Sequence, residues 1–148
     1  MNILTPMRLF FLCGGFFFFI LSGCNKYYLT IEQEWVDRRY LASERVNTPD
    51  PRRDHPPQGQ MLILSWRIPK ALFAEKPHIV LEILFRDFTT ISLTIPVKSP
   101  MGDETYTLLN EAFQKTRGLL AYKAYLVTEN GIRHYLWQHQ LWVEPVHL

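Results

Sequence analysis

Thr89-Thr90-Ile91-Ser92-Leu93-Thr94-Ile95-Pro96-Val97 is the stretch whose reading decides the fold. Ile91, Leu93, Ile95 and Val97 alternate with Thr90, Ser92 and Thr94. Successive side chains of a strand point to opposite faces, so this period of two predicts one apolar face and one hydroxyl-bearing face. Pro96 and Pro100 limit the run, because proline has no N–H to give to a ladder. Upstream, Ile79, Leu81, Ile83 and Phe85 share one side, opposite His78, Glu82 and Arg86. Further back, Leu62, Leu64, Trp66 and Ile68 do the same until Pro69 stops them. Downstream, residues 105–109 predict a shorter strand that continues into a helical turn through Phe113. Residues 119–128 and 132–143 flank Glu129-Asn130-Gly131. Asn-Gly between two alternating runs predicts a hairpin with a type I′ turn, whose two central positions both need positive φ.

Six or seven short strands, evenly spaced turn signals and no long amphipathic helix predict an all-β fold, an antiparallel β-sandwich of about seven strands. Ahead of them, residues 27–36 alternate weakly, with Leu29, Ile31 and Trp35 interrupted by Gln33. This reads as a first strand joining the main domain or as a short helix running to Ala42; the alternation favours the strand. Residues 46–60 hold four prolines and no apolar periodicity, which predicts a stiff, solvated connector. The expected organisation is a signal segment at 1–23, a tether at 24–58 containing the possible first strand and the connector, and a sandwich domain at 59–148.

The strand pattern of roughly residues 59–145 resembles fibronectin type III and other immunoglobulin-like modules. Leu64-Ser65-Trp66-Arg67-Ile68-Pro69 is similar to their early strand with a core tryptophan. Ala121-Tyr122-Lys123-Ala124-Tyr125-Leu126-Val127-Thr128-Glu129-Asn130-Gly131 is similar to their penultimate strand and the turn after it. The disulfide pair of antibody domains is absent.

Leu21-Ser22-Gly23-Cys24 resembles the lipobox of bacterial lipoproteins. Arg8 and the apolar run 9–23 precede it, in the order of a secretory signal. The run falls short of the ~20 apolar residues of a transmembrane helix, and Gly14-Gly15 is costly inside a helix. The resemblance implies cleavage between Gly23 and Cys24, acyl chains on Cys24, and a protein bound to a membrane of the cell envelope. Asn25-Lys26 stands where an aspartate would favour retention in the inner membrane, which points towards the outer membrane. Cys13 would leave with the signal and Cys24 would be consumed by lipid, so the mature chain would keep no thiol.

Composition excludes several function classes. The 16 basic and 14 acidic side chains give +2, and Arg8 is the single charge ahead of Cys24, so the mature portion carries +1. That is no basic stripe for nucleic acid. An apolar content of 47% suffices for a core without a disulfide. His55, His78, His134, His139 and His147 form no metal-ligand spacing; His134 and His139, five apart on one expected strand, point to opposite faces. Glu32 with Glu34 and Asp103 with Glu104 are the close carboxylate pairs, most simply solvated. No serine sits in a Gly-x-Ser-x-Gly elbow, and no glycine-rich loop offers a phosphate cradle. No catalytic residue, metal ligand or cofactor is therefore expected.

Arg38-Arg39 and Arg52-Arg53 could reach anionic headgroups, with Asp37, Asp50 and Asp54 beside them as the simpler counterions. Tryptophan is favoured in binding hot spots, which makes Trp35, Trp137 and Trp142 the candidate partner contacts. Alternation puts Trp137 and Trp142 on opposite faces of the last strand, unless a bulge re-phases it or the N-terminal segment covers the outer ring. The expected function is a non-catalytic module for protein–protein contact or assembly with another envelope protein. The alternative is a lipoprotein that binds a peptide, glycan or lipid.

Overall fold

The computed structural model describes residues 27–46 and 48–142. The lipobox-like residues 21–24, with Cys13, Val143 and His147, lie outside the described residues. Seven strands run through the described chain: β1 (Tyr28–Val36), β2 (Gly59–Arg67), β3 (His78–Phe85), β4 (Thr90–Pro96), β5 (Met101–Leu109), β6 (Leu119–Val127) and β7 (Arg133–Gln138). They form a three-stranded sheet in the order β1-β2-β5 and a four-stranded sheet in the order β4-β3-β6-β7, with every pairing antiparallel. The all-β antiparallel sandwich is thus the fold of this chain.

The alternation read from the sequence is what closes the two sheets on each other. Leu62, Leu64 and Trp66 of β2 and Leu29 and Ile31 of β1 point from one sheet. Ile79, Leu81, Ile83 and Phe85 of β3 and Tyr122, Ala124 and Leu126 of β6 point from the other. All belong to one buried cluster, and each large aliphatic side chain so buried contributes about 1.5–3 kcal/mol. Ile91, Leu93 and Ile95 of β4 are half-buried against the same cluster.

The N-terminal segment forms the strand that its alternation favoured, joined to the main domain. Residues 28–36 pair in unbroken register with β2, from Tyr28 opposite Arg67 to Val36 opposite Gly59. The sandwich therefore begins at Tyr28 and not at Gly59. The proline-rich stretch links β1 to β2 within the domain, instead of standing ahead of it. It is also more ordered than a solvated connector. Helix α1 (Ala42–Val46) and a 3-10 turn (Pro51–Arg53) lie in it or lead to it, and the buried Ser43 hydroxyl donates to Asp50 at 3.0 Å. Val36 and Met61 project from the outer face of their sheet, yet both are buried, as is Leu41 just before α1. The segment after β1 thus gives that face an apolar cover.

Three further elements differ from expectation. β5 starts at Met101, four residues earlier than the alternation indicated, and runs into helix α3 (Asn110–Thr116). A short helix α2 (Lys70–Ala74) joins β2 to β3. The β6–β7 hairpin forms, but its turn is not type I′. Gly131 has φ +79 while Asn130 is not in the left-handed region. Gly131 N–H donates to the Thr128 carbonyl and Thr128 N–H to the Ile132 carbonyl. This is the longer hairpin loop, a turn completed by one left-handed glycine.

Candidate interaction site

β7 ends at Gln138, so Trp137 and Trp142 do not share a strand. Ala124 pairs with Trp137 and Leu126 with His134, which places Tyr135 and Leu136 of β7 opposite Tyr125 alone. Tyr135 takes φ +50 at this bulge. The extra residue turns Trp137 onto the core side, where its ring stacks on Tyr122 with centroids 5.4 Å apart and planes 5° apart. Beyond the strand, His139 N–H donates to the Tyr122 carbonyl and Trp142 N–H to the His139 carbonyl. The chain folds back there, and Trp142 is left only 7% exposed. His139 sits on this return, 4.9 Å from the Tyr122 ring, so the expectation of two histidines on one strand does not hold. Trp35 is the exposed one of the three tryptophans, at 62%, with an edge-to-face contact to Phe113 at 6.0 Å.

The outer face of the four-stranded sheet carries a polar cluster that alternation did not suggest. Lys123 Nζ lies 3.2 Å from Glu82 Oε2 and 4.6 Å from the centre of the Trp142 ring. The Tyr125 hydroxyl donates to Glu82 Oε1 at 2.8 Å, and the Arg133 guanidinium covers the Tyr125 ring at 4.5 Å. Burial, reinforced by the Glu82 hydrogen bond and charge, raises the Tyr125 phenol above its ordinary pKa. A cavity of about 340 Å³ opens beside this cluster, lined by Lys123, Tyr125, Arg133, His134 and Leu136 among others.

The basic pairs are engaged locally. Arg39 pairs with Asp37 at 2.7 Å and Arg52 with Asp50 at 3.0 Å, while Arg38 and Arg53 share Glu44. Glu32 and Glu34 lie exposed along β1, and Asp103 and Glu104 along β5.

A sandwich leaves four strand edges, and this one treats them unequally. β1 carries Glu32 and Glu34, β5 carries Asp103 and Glu104, and β7 is bulged. Charge and bulges are devices that keep an edge from pairing. β4 has neither: its seven residues hold no charged side chain and pair with β3 without a register shift. Its sole blunting feature is Pro96 at the end. The direction of its free backbone groups follows from the hairpin. Phe85 N–H donates to the Thr89 carbonyl, and hydrogen-bonded pairs alternate along an antiparallel ladder. Ile91, Leu93 and Ile95 therefore bond to β3, while Thr90, Ser92, Thr94 and Pro96 turn their backbone groups to the open edge. Beside that edge, a cavity of about 380 Å³ is lined by Thr94, Ile95, Lys98 and Trp66 and by Asp103 and Glu104 of β5.

At the β3–β4 turn, Phe88 is 78% exposed at φ +65, and no other large apolar side chain among the described residues is as exposed. The uncharged run 89–97 was visible in the sequence, but its edge position was not, since strand order depends on pairings far apart in the chain. Comparison with known proteins finds no matching family model, no similar curated protein and no similar solved structure.

Proposed function

We propose that this chain is a lipid-anchored envelope protein whose sandwich makes protein–protein contacts through a strand edge and performs no catalysis. The lipobox-like Leu21-Ser22-Gly23-Cys24 supports anchoring through acyl chains on Cys24, and Asn25-Lys26 supports the outer membrane. The observation that carries the contact reading is β4, an uncharged edge in unbroken register with outward Thr90, Ser92 and Thr94 backbone groups. An extended segment added to such an edge gains main-chain hydrogen bonds, with side-chain alternation setting its specificity. A near-neutral mature charge supports a protein partner over nucleic acid.

The test is photocrosslinking from a reactive residue placed at Thr94, in the native envelope, with the adduct identified by mass. A defined adduct that disappears when Ser92 of the same chain is replaced by lysine supports the reading. A crosslinker that reacts with nothing at Thr94, Ser92 or Phe88 sinks it. The ligand-binding alternative rests on the cavity of about 340 Å³ beside Lys123 and Arg133. It predicts that an anionic or aromatic small molecule stabilises the domain and that Arg133→Ala abolishes the effect.

A further inference from the structure

We propose that the partner of the β4 edge is β4 of a second copy of this chain, the two strands pairing antiparallel about a two-fold axis at Leu93. This rests on the reading of β4 as a contact edge and names its occupant. Thr90-Ile91-Ser92-Leu93-Thr94-Ile95-Pro96 is close to a palindrome about Leu93. Turned on itself, it sets Ile91 opposite Ile95 and Ser92 opposite Thr94 of the other copy, with Leu93 facing Leu93. A two-fold interface requires such self-complementarity, because each patch must fit a copy of itself.

The free backbone groups agree with that register. Ser92 and Thr94 both turn N–H and C=O to the open edge, so the two copies would exchange full pairs of hydrogen bonds there. Pro96 would face Thr90, where the missing N–H removes a bond only at each end of the ladder. Ile91, Leu93 and Ile95, half-buried on an edge in the single copy, would gain apolar neighbours from the second copy on the core side.

The ends of the strand add charge complementarity. Beyond the paired strands, the two-fold brings the end of β4 that leads to Lys98 of one copy towards the turn that holds Phe88 and Asp87 of the other. Lys98 is exposed, and Phe88 stands out at 78% exposure. The Asp87 carboxylate is fixed in place by the Thr89 N–H and hydroxyl at 3.0 and 2.6 Å. A lysine stem over an aromatic ring with a carboxylate beside it suits both ends of the Lys98 side chain. No like charges meet anywhere along the paired strands.

The experiment mixes two differently tagged full-length chains in detergent and reads co-purification and sedimentation. Ser92→Asp and Thr94→Lys are made separately, both on exposed side chains of the outer face. In the two-fold register residue 92 of one copy meets residue 94 of the other, so the mixed pair sets aspartate against lysine. The expected result is self-association of the natural chain, with the mixed pair preferred over either variant alone by about fivefold, the scale of one cross-strand charge pair. Phe88→Ser should weaken the natural pair as well. A chain that stays monomeric, or a dimer indifferent to both charge changes, overturns the inference. If the photocrosslinker at Thr94 captures a different protein in the envelope, the second-copy inference falls while the edge-contact reading stands; if it captures nothing, both fall.

Discussion

Glu82 and Lys123 face each other across β3 and β6 on the outer face of the four-stranded sheet, and removing one of them should hurt far more than removing the other. The Lys123 side chain is 9% exposed and that of Glu82 29%. Breaking a buried pair costs about 3–5 kcal/mol when it strands a charge away from water. Glu82→Leu takes the carboxylate from beside the better-buried charge and leaves the Tyr125 hydroxyl without its carboxylate acceptor. The Trp142 ring retains part of the attraction for the ammonium. A loss of about 3 kcal/mol, at the lower end of that range, is expected. Lys123→Met instead leaves a carboxylate that water reaches and that still accepts the Tyr125 hydrogen bond, so the loss should be about 1 kcal/mol. The double variant replaces a salt bridge by apolar contact, which is often close to neutral, and should also lose only about 1 kcal/mol. The coupling would then be near −3 kcal/mol, well outside the scatter for independent sites. Urea unfolding of the full-length chain in detergent, followed by tryptophan fluorescence, measures all three. Equal single losses, or a double variant as unstable as the sum of the singles, would refute the idea that burial of Lys123 controls this cluster.

Other perturbations test other layers of the fold. Gln60 is 1% exposed and its Oε1 accepts the Leu119 N–H at 2.7 Å; Gln60→Leu should lose about 1–3 kcal/mol by leaving that N–H unpaired, seen as a lower urea midpoint at unchanged slope. A Cβ at Gly102 would lie 2.7 Å from the Trp66 ring, so Gly102→Val should lose about 1–3 kcal/mol and shift tryptophan emission, as the ring must move. The Arg52 guanidinium and backbone N–H, with the Ser43 hydroxyl, hold the Asp50 carboxyl down at about 2, against an ordinary 3.8. Its contribution is complete above 3.8 and is lost as the pH falls from 3.8 to about 2. Amide protection factors around Ser43 and Asp50 should fall over that window in the natural chain and be insensitive to it in Asp50→Asn.

The sandwich was legible because period-two patterns report burial on one face, and burial on one face is what the two sheets impose. Leu62, Leu64, Ile79, Leu81 and Ile83 are all fully buried, as their alternation required. The pattern fails where a strand is covered on both sides. Ala121, Lys123 and Tyr125 of β6 are buried on the outer face as well as Tyr122 and Ala124 on the inner one, so the strand reads as a nearly continuous run and hides its polar cluster. It fails again at Trp142, because the bulge at Tyr135 and the return after Gln138 depend on hydrogen bonds to β6 that no local pattern encodes. The exposure of Trp35 is not encoded in its residue type: it comes from lying at the far end of the core-facing side of β1, beyond Leu29 and Ile31. The candidate edge was missed for a related reason: Thr89 to Val97 told its own conformation and nothing of its neighbours.

Acylation of Cys24 and pairing through β4, taken together, would fix how the domain lies. With Cys24 acylated, three residues would separate it from Tyr28, and those four steps of chain reach at most about 14 Å. Tyr28 opens β1 at the end of the sandwich shared by Arg67, Met101 and His78. A nine-residue strand is about 30 Å long. Two copies joined antiparallel through β4 point these ends in opposite directions, so an upright dimer would hold one anchor roughly 30 Å from the bilayer, beyond that reach. Both anchors reach one membrane only if the two-fold axis stands along its normal and the sheets lie parallel to its surface. The three-stranded sheet, which contains β1, would then face the lipid. A fluorophore at exposed Thr107, on the outer face of that sheet near the far end of β5, should be quenched by headgroup-labelled lipid as strongly as one at Glu129, near the anchored end. Quenching at Glu129 with none at Thr107 would mean an upright domain, and an upright domain is incompatible with a two-fold β4 pair on a single membrane.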